Sequence, residues 1–125
     1  PVNVQPIAIG NVIYGFDQSG ELLAFRVPSG ERLWETSKPV SERPQACGTA
    51  FIMRHADRFL LFNDSGELIL ANMDEKGYEE LDRVKLLEPT NNAFGREVVW
   101  CAPALAHGAI FVRNDKELVA FDLFP

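Results

Sequence analysis

The 125-residue sequence is poor in several features that would indicate a particular chemistry. It has two cysteines and two histidines, and their spacing matches no structural zinc motif. No apolar run approaches the roughly 20 residues that a membrane-spanning helix needs. Basic residues number 12 against 18 acidic ones, and the net charge of -6 argues against binding to a phosphate backbone. We therefore predict neither nucleic-acid binding nor membrane insertion.

The composition is that of a folded domain. Hydrophobic residues make up 46% of the chain and charged residues 24%, which is too apolar for a globally disordered segment. The chain opens on Pro1 with no basic and apolar leader, so no signal peptide is predicted. Both ends look cut from a longer polypeptide, and a processed terminus is the alternative interpretation.

An internal repeat organises the chain. Three hairpin cores share a Glu-Leu pair followed by an apolar run, and their glutamates, Glu21, Glu67 and Glu117, lie 46 and 50 residues apart. Each core has a short β-rich run, a polar turn and a second apolar run, which is typical of a β-hairpin. No segment sustains a helical period over three turns. Because no helices are predicted, a repeat length of 46 to 50 residues favours propeller blades over helical repeats.

Each repeat also has an upstream strand, and the first two repeats have a fourth strand, so eleven strands are predicted. Four antiparallel strands in one such repeat form a propeller blade. We predict an all-β fold of about two and three-quarter β-propeller blades, a partial ring. Blade 1 covers about residues 1–40, blade 2 about 47–89, and an incomplete blade 3 about 98–125.

The string from Gly20 to Trp34, GELLAFRVPSGERLW, is the most specific in the chain. It resembles the repeat of pyrroloquinoline-quinone-type propellers, in which an Ala-hydrophobic-Asp element, a Thr-Gly turn and a Gly-Lys-hydrophobic-hydrophobic-Trp strand follow one another. Arg26 and Ser29 stand here in place of the Asp and the Thr. On this resemblance the chain looks like the C-terminal blades of a bacterial quinoprotein-like repeat protein, with Trp34 packed between neighbouring blades. Repeats two and three lack the Trp strand, and Tyr78 lies only loosely near its place.

The resemblance implies a ring of seven or eight blades, found in non-catalytic assembly lipoproteins and in dehydrogenases, and a periplasmic or cell-envelope location. In the catalytic members a quinone lies over the central channel with Ca²⁺, which needs Asp and Asn or Glu ligands and a stacking Trp. A vicinal cysteine pair is typical of the alcohol-oxidising branch, whereas Cys47 and Cys101 lie 54 residues apart.

We therefore expect no catalytic, cofactor-binding or metal-binding residues in this chain. The leading hypothesis is a non-catalytic repeat module that serves as a protein- or ligand-interaction scaffold. The alternatives are a fragment of a quinone-dependent dehydrogenase, with pyrroloquinoline quinone and calcium as cofactors, or of a propeller-bearing sugar-binding or hydrolytic protein. Expected partners are the remaining blades of a parent protein or a second copy of this chain, and a protein or carbohydrate ligand.

Three sets of side chains invite a more specific hypothesis. Asp17, Asp64 and Asp115 recur at the hairpin turns, where turn chemistry explains them better than a calcium loop. His55 and His107 follow the innermost strands of two blades, and solvated turn residues are favoured over metal ligands. The two cysteines are either buried thiols, which is the favoured alternative, or a disulfide.

Two segments are candidates for partner binding. Arg54, His55 and Asp57, with Arg58 beside them, form a polar rim at the turn after an innermost strand. The stretch from Glu88 to Arg96 is predicted to be a surface loop between blades, and Phe94 and Arg96 are its candidate contacts. The acidic cluster between Asp74 and Asp82 is predicted to be a solvated outer edge.

Overall fold

The computed structural model of the chain describes residues 4–93 and 95–123, which form thirteen β-strands and no helix. None of the described residues therefore belongs to a helix long and apolar enough to cross a membrane. The strands fall into three antiparallel blades and one short hairpin. Blade 1 is β1 (Ile7–Ile9), β2 (Val12–Phe16), β3 (Leu22–Arg26) and β4 (Arg32–Thr36); blade 2 is β5 (Ala50–His55), β6 (Arg58–Asn63), β7 (Glu67–Asp74) and β8 (Gly77–Lys85). The hairpin is β9 (Asn91–Ala93) and β10 (Arg96–Val98), and blade 3 is β11 (Ala104–Ala106), β12 (Ala109–Arg113) and β13 (Leu118–Asp122).

Blade 2 is apolar on both faces, and this determines how the sheets stack. Its strand β6 contains Phe59-Leu60-Leu61-Phe62, all buried. Because side chains alternate along a strand, Phe59 and Leu61 pack towards blade 1 while Leu60 and Phe62 pack towards blade 3. The molecule thus has two cores, which we call the blade 1–2 core and the blade 2–3 core. A continuous apolar run is what a sheet covered on both faces requires.

The connection to each next blade packs against the β-turn of the blade that precedes it. Gly66 has a φ of 84°, and a Cβ built there would overlap the carbonyl oxygen of Leu87. The carbonyl oxygen of Gly66 in turn accepts hydrogen bonds from the backbone N–H groups of Leu86 and Leu87, at 2.9 and 3.2 Å. Gly20 lies equally close to the Gln45 carbonyl, 2.7 Å from its ideal Cβ. Only glycine fits there, because both the backbone conformation and the close approach exclude a side chain.

Two local predictions differ from the structure. The stretch from Glu88 to Arg96 is not a plain surface loop, because it contains the hairpin β9–β10 and Arg96 turns inward. Strand β8 begins at Gly77 rather than near Leu81, since Asp74 and Gly77 already pair across a tight turn. The Asp74 carboxylate accepts the N–H of Lys76 at 2.7 Å and so stabilises that turn. With β9 and β10 added, the described residues form thirteen strands, two more than the eleven predicted.

Trp34 packs between blades 1 and 2, as the resemblance implies. Its indole lies against the blade 1–2 core, with its ring centroid 5.9 Å from that of Tyr14. Its Nε1–H donates to the carbonyl oxygen of Asp74, on blade 2, at 2.7 Å. From blade 2, Tyr78 of strand β8 packs against the same core. Two aromatic side chains, one from each blade, therefore fill the outer part of the first interface.

Replacing Trp34 should weaken the contact between blades 1 and 2. We expect Trp34→Ala to lower the free energy of unfolding by about 3 kcal/mol, because it removes a large packed ring and an inter-blade hydrogen bond. Trp34→Phe keeps most of the packing and should cost about 1 kcal/mol. Urea denaturation measures both, with Val27→Ala as the control because Val27 is 41% exposed and lies at the β3–β4 turn. Equal stability of Trp34→Ala and the control would contradict this account of the interface.

Candidate functional site, a groove between blades 2 and 3

Asp82 takes the place in blade 2 that Trp34 has in blade 1. Trp34 pairs with Ala24 across β3 and β4, next to a register shift that leaves Leu33 bulged. Asp82 pairs with Leu70 across β7 and β8, next to the same kind of shift at the same place. Tyr78, which the sequence places loosely near the Trp position, instead pairs with Met73 and packs into the blade 1–2 core. The second interface therefore has a carboxylate where the first has an indole.

Other positions around Asp82 are also more polar than their counterparts in blade 1. The pairs Ile9 with Val12 and His55 with Arg58 close equivalent turns in the two blades. An apolar pair next to Trp34 thus corresponds to an ionisable pair next to Asp82. Leu60 and Leu70 remain apolar and form the floor between these polar groups.

The result is a groove of about 610 Å³ between blades 2 and 3, which we call the blade 2–3 groove. Blade 3 contributes Phe121, Asp122 and Leu123 to one wall. Val84 of β8 lies on the other wall and is 52% exposed, a high fraction for an apolar side chain beside a core. The remaining lining residues are His55, Ala56, Asp57, Arg58, Leu60, Leu68, Leu70, Asp82, Arg83 and Leu86. An apolar floor with a few polar groups at its margin is typical of a binding site.

The charged rim of the groove is not balanced. Arg83 is already paired, because its guanidinium contacts Glu67 at 2.9 Å and Glu80 at 2.7 Å. The hydrogen bond to Glu80 raises the pKa of Arg83 despite its partial burial. The other ionisable residues that line the groove are three aspartates, Asp57, Asp82 and Asp122, together with Arg58 and His55. The rim is therefore net acidic.

The structure separates the residues predicted to bind a partner. His55 and Asp57 line the groove, whereas Arg54 is exposed and its Nε donates to the Ala56 carbonyl at 2.9 Å. Phe94 lies outside the described residues. Arg96 lies at the other end of β6 from the His55 turn and binds a buried carboxylate. A partner-binding role for these residues stays a prediction.

The sequence signal for the groove was the loss of Trp in the second repeat. Asp82, which takes the place of that Trp, was missed because it lies in a stretch predicted to be a solvated edge.

Arg96 forms a salt bridge with Asp64 that joins the β9–β10 hairpin to blade 2. Arg96 Nη2 lies 2.7 Å from Asp64 Oδ2, and the two side chains are 18% and 1% exposed. The same Asp64 oxygen accepts the backbone N–H of Thr49 at 3.2 Å. The Asp64 carbonyl accepts the N–H of Val99, at the entry to blade 3, at 2.7 Å. This residue therefore connects an inner strand of blade 2 with the start of the next blade.

Removing one member of this pair should be far more costly than removing both. Arg96→Met leaves a buried, uncompensated carboxylate, so we expect a loss of about 3 kcal/mol in the free energy of unfolding. The double variant Asp64→Asn, Arg96→Met should recover part of it. The exposed pair Arg32 and Glu35 gives the control, because Arg32→Met should cost less than about 1 kcal/mol. Additive losses in a double-mutant cycle by urea denaturation would show that the two side chains do not act as a pair.

The aspartates at the turns do not have one common role. In each turn, the side chain of the first residue accepts the N–H of the residue two positions further on. The distances are 2.8 Å from Ser19 to Asp17, 3.0 Å from Ser65 to Asn63 and 2.9 Å from Lys116 to Asn114. These three side chains are thus structurally equivalent, and the third turn is one residue shorter than the others. Partial burial acts to raise the pKa of Asp17, but its hydrogen bonds outweigh this and the pKa is lowered. Turn chemistry explains Asp17, as predicted.

Asp64 and Asp115 each lie one residue beyond those turn acceptors. Asp64 is paired with Arg96, and the carboxylate of Asp115 accepts the hydroxyl of Thr90. The three aspartates therefore do not converge on a calcium ion. Within residues 4–93 and 95–123, no three carboxylate, histidine or cysteine side chains come together as a metal site.

The histidines and cysteines are separated as well. His55 ends strand β5, whereas His107 lies in the β11–β12 turn with a φ of 52°, so the two are not equivalent positions. Cys47 and Cys101 do not form a disulfide with each other. Cys101 Sγ accepts a hydrogen bond from Arg113 Nε at 2.8 Å. The structure thus contains two thiols, of which Cys47 is buried as predicted, whereas Cys101 is partly exposed.

Comparison with solved structures places this fold among the quinoprotein-type propellers. BamB from Moraxella catarrhalis superposes with a TM-score of 0.59 at 14% sequence identity, over 93% of this chain and 30% of that one. A europium-containing methanol dehydrogenase superposes with a TM-score of 0.56 at 17% identity, over 94% of this chain and 22% of that one. No protein-family model matches the sequence, and a search of curated proteins found no match.

The fold is therefore all-β, with antiparallel propeller blades of the pyrroloquinoline-quinone-like type, as predicted. The chain spans less than a third of the length of either structure, so it corresponds to part of a ring. Sequence identities of 14% and 17% establish the fold only.

Proposed function

We propose that this chain is a non-catalytic propeller module that binds a protein partner through the blade 2–3 groove. The groove itself supports this proposal best. Asp82 puts a carboxylate at a position that packs between blades in blade 1, and the apolar floor beside it is left open. Burying the floor would favour association, and the charged rim would select the partner.

The outer faces of blades 1 and 3 support a second part of the proposal, namely that further blades pack there. On blade 3 the face turned away from blade 2 carries Phe111, Ala120 and the 68% exposed Leu118. On blade 1 the outer face carries Ile13 and Phe25. Sheets that are apolar on an uncovered face bury it against another sheet, and in a propeller that sheet is the next blade.

The dehydrogenase alternative has less support in the side chains that are described. Asp64, in the β6–β7 turn, is a buried carboxylate of blade 2, and the guanidinium of Arg96 already neutralises it. Calcium requires about six converging oxygens, and the described residues provide no cluster of three acidic ligands. The donor set of the described residues thus does not fit the quinone and its calcium ion.

Reconstitution with cofactor separates the two alternatives. We expect the chain, incubated with pyrroloquinoline quinone and Ca²⁺, to leave an electron-accepting dye unreduced in the presence of alcohols or aldoses. The measurement is the rate of dye reduction with each addition omitted in turn, and bovine serum albumin serves as a matched protein control. Dye reduction that requires quinone, Ca²⁺ and the chain together would overturn the non-catalytic proposal.

Packing between outer faces predicts self-association of the isolated chain. We expect sedimentation equilibrium to show a species of about twice the monomer mass that grows with concentration, because each copy covers an apolar outer face of the other. Leu118→Lys should shift the equilibrium towards monomer. The control Val27→Lys changes an exposed apolar residue at the β3–β4 turn, outside that face, and should leave it unchanged. A monomer at all concentrations would contradict the packing of further blades on these faces.

A further inference from the structure

We propose that the side chains of Thr49 and Asp64 form a buried binding site for one water molecule, which donates a hydrogen bond to Asp64 Oδ1 and shares another with Thr49 Oγ1. The site belongs to blade 2, which has a neighbouring blade on each side and a connecting segment at each end. It is separate from the blade 2–3 groove, whose lining includes neither residue.

Two polar atoms of blade 2 point to this site. Thr49 precedes strand β5, Asp64 lies in the β6–β7 turn, and each residue is 1% exposed. Neither Thr49 Oγ1 nor Asp64 Oδ1 has a hydrogen-bond partner among the described residues. A buried polar atom that loses its hydration without gaining a partner is costly, and native structures contain few of them. These two atoms therefore indicate a ligand that the chain itself does not supply.

Backbone pairing places the two residues side by side. The Asp64 N–H donates to the Thr49 carbonyl oxygen at 3.1 Å, and the Thr49 N–H donates to Asp64 Oδ2 at 3.2 Å. These bonds continue the β5–β6 ladder one step beyond its last pair, Ala50 with Asn63. The free carboxylate oxygen and the free hydroxyl thus belong to residues in direct contact, and one small molecule can serve both.

The hydrogen-bonding capacity of the two atoms defines the ligand. Both donors to the Asp64 carboxylate, Arg96 Nη2 at 2.7 Å and the Thr49 N–H, reach Oδ2, so Oδ1 still needs a donor. A carboxylate oxygen only accepts, whereas a hydroxyl both donates and accepts. Water can donate to Oδ1 and either donate to or accept from Oγ1. Buried waters bind polar groups of this kind, which have no other partner.

Other ligands are less compatible with these surroundings. A cation would be repelled by the Arg96 guanidinium, which already contacts the same carboxylate. Calcium would also need about six oxygens, and the described residues bring together no three acidic, histidine or cysteine side chains. An anion would be repelled by Asp64. A larger neutral molecule does not fit, because Thr49 and Asp64 are both enclosed.

The water would stabilise the joint between blade 2 and the segment that leaves it. Asp64 holds Arg96 of the β9–β10 hairpin through its carboxylate, and its carbonyl oxygen accepts the N–H of Val99 at 2.7 Å. A donor at Oδ1 would hold the carboxylate in the orientation that directs Oδ2 at Arg96. The ligand is therefore a structural part of this joint.

A high-resolution crystal structure of the chain tests the inference directly. We expect one electron-density peak, with the height of a water oxygen, within hydrogen-bond distance of both Thr49 Oγ1 and Asp64 Oδ1. A crystal soaked in rubidium chloride should show no anomalous peak at this position, because Rb⁺ replaces bound monovalent cations and does not replace water.

Variants test the site in solution. The probe is ¹⁷O-labelled water, and magnetic relaxation dispersion counts the buried water molecules that exchange slowly. Thr49→Val has nearly the same shape but no hydroxyl, and it should lose one such water, whereas Thr49→Ser should keep it. Thr36→Val is the matched control: it removes the hydroxyl of a half-buried threonine that accepts the Lys38 N–H at 3.2 Å, and it should leave the number unchanged.

Three results would overturn the inference. These are a direct hydrogen bond from Thr49 Oγ1 to Asp64 Oδ1 with no peak beside it, an anomalous Rb⁺ peak at the site, or the same number of slowly exchanging waters in Thr49→Val as in the unaltered chain. Should Thr49→Val fail to fold, the crystal structure of the unaltered chain decides the matter. None of these results bears on the proposed function, which is tested separately by dye reduction.

Discussion

Face-to-face packing of antiparallel sheets is the constraint on which the rest of this structure depends. Blade 2 buries both of its faces, and its buried run Phe59-Leu60-Leu61-Phe62 alternates between two separate cores. Because each sheet needs a neighbour on both sides, the residues at an interface decide whether that interface is closed or open. The first interface is closed by aromatic rings, whereas the second has a groove where one ring is replaced by a carboxylate.

The connections between blades make the stack continuous. Each connecting segment crosses the turn of the blade that it leaves, which is why Gly20 and Gly66 admit no side chain. The Asp64–Arg96 pair adds a charged contact at the second crossing and orders the hairpin β9–β10 beside it. Arg96 is therefore a structural residue first, and the partner contacts favoured by the geometry lie at the other end of blade 2. The functional proposal accordingly depends on the groove near His55 and Asp82.

Much of the architecture could be predicted from the repeat. Glycine and Asp or Asn at the turns, alternating apolar runs and a period near 50 residues define hairpins, and hairpins at that period define blades. Trp34 could be assigned to an interface because its repeat resembles that of pyrroloquinoline-quinone-type propellers, and a large ring with one N–H suits such a position. The hairpin β9–β10 could not be predicted, because its strands have three residues each and contain asparagine, arginine and glutamate, which are not typical of strands. Nor could the early start of β8, which depends on the Asp74 turn.

By itself, the sequence determined the fold class, the repeat and the hairpin turns, because these follow from local periodicity and local hydrogen bonding. The tertiary structure alone decided what each charged residue does. Asp64 and Asp115 stand at corresponding turns of the repeat, yet Asp64 is buried against Arg96 and Asp115 accepts the Thr90 hydroxyl. Asp82, in an acidic stretch, lines a groove. Their roles differ because register, bulges and blade stacking bring different distant residues to each, and those contacts leave no local pattern in the sequence.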